Sequence, residues 1–219
     1  MERTALRPLP AGHLNTFQGL LIALILVVAG LGLIFFTTPL VCGLLGIFNI
    51  IWYNGIYTNL KRISAFAVVP GSITGAIPVL MGWSASGGSL LSAEPWLLAF
   101  FIFMWQIPHF WLLMLQYGSQ YQKAGLPVLT DLFSDRQMKK IIFAWLLAAS
   151  VSSLFLMSLG IWYKPLICLL IILLNSLLLI FAYVTLFLSA KVRHRQLFIL
   201  LNVFMLVVLI LLVADRISP

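Results

Sequence analysis

Three polar clusters in an otherwise apolar chain hold the residues whose types and spacing could do chemistry. Arg3 and Arg7 lie in the run Arg3-Thr4-Ala5-Leu6-Arg7-Pro8-Leu9-Pro10. Lys61 and Arg62 close the run Tyr57-Thr58-Asn59-Leu60-Lys61-Arg62. Gln106 and His109 stand in Trp105-Gln106-Ile107-Pro108-His109-Phe110-Trp111, followed by Tyr117 through Tyr121 and Ala124-Gly125-Leu126-Pro127. Arg presents forked donors that match phosphate oxygens, and Lys presents a point charge. These four cations beside Tyr57 suit a diphosphate. Taken singly, Arg and Lys near helix ends act more often as snorkelling topology markers. Gln106 and His109 sit inside a hydrophobic segment, where polar groups are costly and default to functional hypotheses. The competing account for them is a helix–helix hydrogen bond.

The elements that must position these residues are membrane spans. The chain has 219 residues, 63% hydrophobic and 8% charged, with a mean hydropathy of +1.12. A soluble domain carries about 25% charged residues, so this composition excludes one. A spanning helix needs roughly 20 apolar residues with every backbone polar group bonded internally. Seven stretches qualify: 17–36, 40–57, 63–83, 96–117, 141–162, 165–189 and 197–214. None alternates at period two, which excludes a membrane β-barrel. The expectation is an all-α polytopic transmembrane bundle forming one membrane-embedded domain over residues 1–219. Pro39, Pro95 and Pro165 fall at helix starts, where the missing N–H costs nothing. Pro70, Pro78 and Pro108 lie inside spans and predict kinks or broken helices.

The net charge of +8 orients the bundle. With a cytoplasmic N-terminus, that side carries Arg3, Arg7, Lys61, Arg62, Lys123, Arg136, Lys139, Lys140, Lys191, Arg193 and Arg195; the other side carries only Lys164 and Arg216. This is the positive-inside pattern, so the C-terminus is expected outside. The charge is spread between apolar runs and forms no basic patch, which argues against a nucleic-acid partner. Met1–Asn15 is polar, contains Pro8 and Pro10, and does not read as a signal peptide. Cys42 and Cys168 fall in apolar spans and read as unpaired small residues. Trp83, Trp96, Trp162 and Tyr163 read as interfacial belt residues.

The pattern RT-x2-RPLP, then YT-x2-LKR, then G-x3-GAIP-x3-GW, then WQ-x-PHFW with AG-x-PVL resembles the UbiA superfamily of intramembrane prenyltransferases. Within it, the PHFW and AG-x-P segments look most like the protoheme IX farnesyltransferase (haem O synthase) branch. The resemblance runs from Arg3 to about Leu129, and the later spans match only as apolar helices. It implies a cytoplasm-facing cavity where Mg2+, held by two Asp-rich motifs, binds farnesyl diphosphate, with haem B as the acceptor. Carried over, Arg3, Arg7, Lys61 and Arg62 would bind diphosphate. Tyr57, Trp105, Gln106, His109 and Tyr121 would line the substrate pocket. The implied location is the cytoplasmic (inner) membrane.

The sequence also departs from that pattern. The first Asp-rich motif belongs just before Arg3, on a preceding helix, so the motif and two of the family's nine helices are expected to lie outside this chain. Gly118-Ser119-Gln120 stands where the second acidic site should precede Tyr121, and Ala67 replaces a usual Asn. No metal ligand is identifiable. Asp131 and Asp135 spell D-x3-D, but after the AG-x-PVL segment, where Ser134 or Asp135 is more simply a helix N-cap. The expectation is impaired or altered chemistry. Three accounts stay open: an incomplete synthase, a split enzyme completed by a separate N-terminal piece, and a non-catalytic haem- or lipid-binding subunit of a respiratory oxidase complex.

Overall fold

In a computed structural model of the chain, residues 5–158, 164–189 and 193–217 are described. Among them, seven helices are long and apolar enough to cross a membrane, and there is no strand. They are α1 (Thr16–Thr37), α2 (Leu40–Leu60), α3 (Ala65–Ala85), α4 (Glu94–Lys123), α5 (Asp135–Ser158), α6 (Pro165–Leu188) and α7 (His194–Ile217).

Local chemistry sets their ends. Asn15 and Gln18 form a reciprocal capping box at the start of α1, with bonds of 2.8 and 3.0 Å. Thr38 is extended ahead of Pro39, as the residue before proline prefers, and this separates α1 from α2. At α5 the Gln137 side chain accepts from the Ser134 backbone N–H at 2.9 Å, which supports the N-cap reading of Ser134. The fourth helix runs six residues past the expected Tyr117, because Gln120, Gln122 and Lys123 continue it into polar surroundings. It stops where Gly125 adopts φ +70°. Leu126 N–H then returns to the Tyr121 carbonyl (3.1 Å) and Gly125 N–H to Gln122 (2.9 Å), the paired bonds of a glycine-terminated helix.

The prolines act differently from one another. Near Pro70 the α3 helix is interrupted at Ser72, and the Trp52 indole N–H caps the Pro70 carbonyl at 2.8 Å. Helix is continuous through Pro78 and Pro108, so the expectation of a broken helix fails at these two positions. At Pro78 the reason is visible: the Asn49 amide on α2 donates to the Thr74 carbonyl, which proline cannot serve. In α2 the helix widens to a π-helical turn over Trp52–Tyr57, and α6 does the same over Val184–Leu188.

The core lies among α4, α5, α6 and α7, where Phe101, Ile107, Trp111, Leu146, Ile171 and Phe204 are buried. Between α5 and α6, the hydroxyls of Ser150 and Ser153 both donate to the Asn175 side-chain oxygen. The Asn175 amide turns back onto the Ile171 carbonyl at 2.8 Å. The outermost helix, α1, buries no residue and packs on α2, with Phe35 against Gly43 and Leu31 against Gly46. Both cysteines are free thiols, as expected.

Candidate functional site

A cavity of about 320 Å3 opens among α2, α3, α4 and the turn after α4. Its polar lining comes from Tyr53, Tyr57, Lys61, Ser64 and Tyr121, and its apolar wall includes Val68, Phe110, Leu113 and Met114. Tyr53, Tyr57 and Lys61 follow one another at i, i+4 and i+8, so one face of α2 brings them together. The Tyr53 and Tyr57 ring centroids are 5.4 Å apart, and Lys61 Nζ lies 5.6 Å from the Tyr57 centroid. Tyr121 reaches the cavity from the last turn of α4. The glycine-terminated end of that helix folds Leu126 and Pro127 back onto the same wall.

Two glycines four apart on α3 fix how closely its neighbours approach. A Cβ at Gly71 would stand 2.6 Å from the Tyr57 ring, and one at Gly75 would collide with the Gln106 amide. Gly71 therefore seats the cavity tyrosine and Gly75 seats the glutamine of α4.

Of the residues expected from sequence, the structure gathers Tyr57, Lys61 and Tyr121 in one cavity. Arg62 is exposed and outside the lining, in the turn that follows α2. Arg7 is exposed in the turns before α1, and Arg3 lies outside the described residues. Trp105, Gln106 and His109 do not line this cavity. The Trp105 indole donates to the Leu201 carbonyl of α7 at 3.1 Å. His109 packs between Trp105 (4.7 Å between ring centroids) and Phe198 (4.9 Å), opposite Asn202.

The D-x3-D pair does not share a helical face. Asp131 lies in a 3-10 turn and accepts from Gln122 Nε2 at 2.6 Å. Asp135 begins α5 and lines a separate cavity of about 70 Å3 with Lys139 and His194. No group of three or more His, Cys, Asp and Glu able to hold a metal occurs among the described residues. Sequence reasoning missed Tyr53 and Ser64, and it had Gly71 and Gly75 only as the glycines of the G-x3-GAIP pattern, without a role. The i, i+4, i+8 spacing could have found Tyr53, whereas Ser64 and the glycines show their parts only through contacts across helices.

The profile of the UbiA prenyltransferase family matches residues 1–213. The protoheme IX farnesyltransferase of Synechococcus sp. (strain JA-2-3B'a(2-13)) is 39% identical over 162 residues, 73% of this chain and 49% of that protein. The one from Geobacter sulfurreducens is 35% identical over 160 residues, 73% of this chain and 59% of that protein. The one from Trichodesmium erythraeum is 37% identical over 148 residues, 67% of this chain and 45% of that protein. The chain thus spans about half the length of the curated relatives it matches. No solved structure matches it.

Proposed function

We propose a function on one premise: this chain belongs to the UbiA prenyltransferase family, whose profile covers residues 1–213. It is an integral membrane protein, and the proposed activity is that of a protoheme IX farnesyltransferase, acting at the cytoplasmic face of the inner membrane with the N-terminus inside. Residues 1–219 act as one membrane-embedded domain. The observation that supports this is the meeting of Lys61, Tyr57 and Tyr121 in one cavity with an apolar wall.

The chemistry has a clear order. The allylic C–O bond of farnesyl diphosphate breaks, and diphosphate leaves with the electron pair. The haem B vinyl group attacks the allylic carbon, and water adds to the resulting cation and loses a proton, giving haem O. Lys61 would sit against the departing charge, and the phenol groups of Tyr57 and Tyr121 would donate hydrogen bonds to it. Phe110, Leu113 and Met114 offer an apolar, water-poor wall for the prenyl chain. Arg3, Arg7 and Arg62 are proposed as outer cations of the diphosphate site. Trp105, Gln106 and His109 are proposed as packing between α4 and its neighbours.

Mg2+ is the cofactor expected for the family. The donors here do not fit it, because hard Mg2+ takes carboxylates and phosphate oxygens and no carboxylate lines the cavity among the described residues. No step is therefore assigned to the metal on this chain. Purified protein incubated with haem B, farnesyl diphosphate and Mg2+ should form haem O. Product no greater than that of a Lys61→Ala control would overturn the proposal.

The same carboxylate-free lining favours a second proposal, a haem- or lipid-binding subunit of a respiratory oxidase complex without catalysis. Co-purification with a partner at fixed stoichiometry supports it, and an active monomer rejects it.

A further inference from the structure

We infer that this cavity grips the phosphate of an apolar-tailed ligand through Lys61 and neutral hydroxyl donors, without a divalent metal. The inference rests on the proposed function only in the choice of an isoprenoid tail for the test.

The four acids outside Glu2 are all placed, and Glu2 is outside the described residues. Glu94 begins α4 while Tyr121 is in its last turn, and a helix of 30 residues separates its ends by about 45 Å. Asp131 accepts from Gln122. Asp135 is in the small cavity with Lys139 and His194. Asp215 is buried and accepts the backbone N–H of Lys164 at the start of α6. None of the four lines the cavity that holds Lys61.

What does line it is a donor set. Lys61 supplies three N–H donors, and Tyr53, Tyr57, Tyr121 and Ser64 each supply one O–H. Among the described residues no carboxylate on this wall repels a phosphate or holds a metal. Lys61 is half-buried, which leaves its charge less screened than that of exposed Arg62. Val68, Phe110, Leu113 and Met114 line the same cavity and provide contact for an alkyl or prenyl chain. The chemistry recognised is a phosphate ester on an apolar tail, from either an isoprenoid phosphate or a glycerolipid such as phosphatidic acid.

The test is a binding measurement on the full chain in lipid nanodiscs, with farnesyl phosphate and farnesyl diphosphate in EDTA and again in Mg2+. The expected Kd differs by less than about threefold between the two conditions. Lys61→Gln should weaken binding at least about tenfold, the scale of one charge-assisted hydrogen bond. Tyr121→Phe removes a single donor and should weaken it by less, which keeps the test open if the lysine variant fails to fold. Farnesol, lacking the anion, should bind far more weakly. Phosphatidic acid that competes without metal supports the same grip and identifies a glycerolipid source; failure to compete points to the isoprenoid source. Binding that requires Mg2+, or that survives Lys61→Gln unchanged, overturns the inference. Metal-free binding without haem O formation would instead reject the transferase proposal and leave this one standing.

Discussion

Asn49 on α2 donates its side-chain amide to the carbonyl of Thr74 on α3 at 3.1 Å, and Thr74 is the residue four before Pro78. Proline has no N–H to return to that carbonyl, so the neighbouring helix supplies the donor that the helix itself lacks. Inside a membrane there is no water to do it instead. The pair explains why the helix continues through Pro78 and ties α2, which carries Tyr57 and Lys61, to α3.

Asn49→Ala should therefore destabilise the bundle by about 1–2 kcal/mol, the cost of an orphaned buried carbonyl. In a Pro78→Ala background the same change should cost much less, because residue 78 then offers its own N–H. A double-mutant cycle of thermal stability in detergent reads the difference. Equal costs in both backgrounds would reject the pairing.

Gly71→Ala should disturb ligand binding more than it disturbs the fold. The added methyl meets the Tyr57 ring at 2.6 Å, and a ring can rotate away more easily than a helix can shift. The expected result is a several-fold rise in the Kd of farnesyl phosphate with Tm little changed. Gly75→Ala should do the reverse, since it displaces Gln106, which does not line the cavity. Measuring both quantities on both variants checks the assignment; a shared profile would contradict it.

The serine–asparagine cluster between α5 and α6 predicts a non-additive response. Asn175→Leu leaves the Ser150 hydroxyl without its acceptor, while the Ser153 hydroxyl keeps the Ser150 carbonyl at 2.7 Å, and should cost about 1–3 kcal/mol. Adding Ser150→Ala removes the stranded hydroxyl and should recover much of that loss. Urea or thermal unfolding in mild detergent distinguishes recovery from further loss.

Orientation is open to a direct measurement. A membrane-impermeant maleimide applied to intact spheroplasts should label Ser86→Cys, in the exposed turn between α3 and α4. It should leave Lys123→Cys, at the other end of α4, unlabelled until the cells are lysed. The opposite labelling would reverse the assigned topology.

The seven helices were legible in the sequence because a spanning helix satisfies its backbone within one segment, so hydropathy and length identify it without reference to neighbours. Helix ends were less legible where polar residues prolong them: α4 continues to Lys123 because nothing before Gly125 stops it. In the sequence, Lys61 and Tyr57 stand together with Arg3, Arg7 and Arg62, and residue type does not separate them from those three.

Tertiary structure decided how those residues are used. Lys61 and Arg62 are adjacent in sequence, yet in the turn after α2 only Lys61 lines the cavity and Arg62 is exposed. The Trp105 indole donates to Leu201 and the His109 ring packs on Phe198, both on α7 and about ninety residues away in the chain. The sequence by itself determined a helical membrane bundle, with seven long apolar helices among the described residues. Only packing between helices decided which polar side chains meet, because the groups that orient them, Gly71, Gly75 and Asn49, act across an interface that no local pattern specifies.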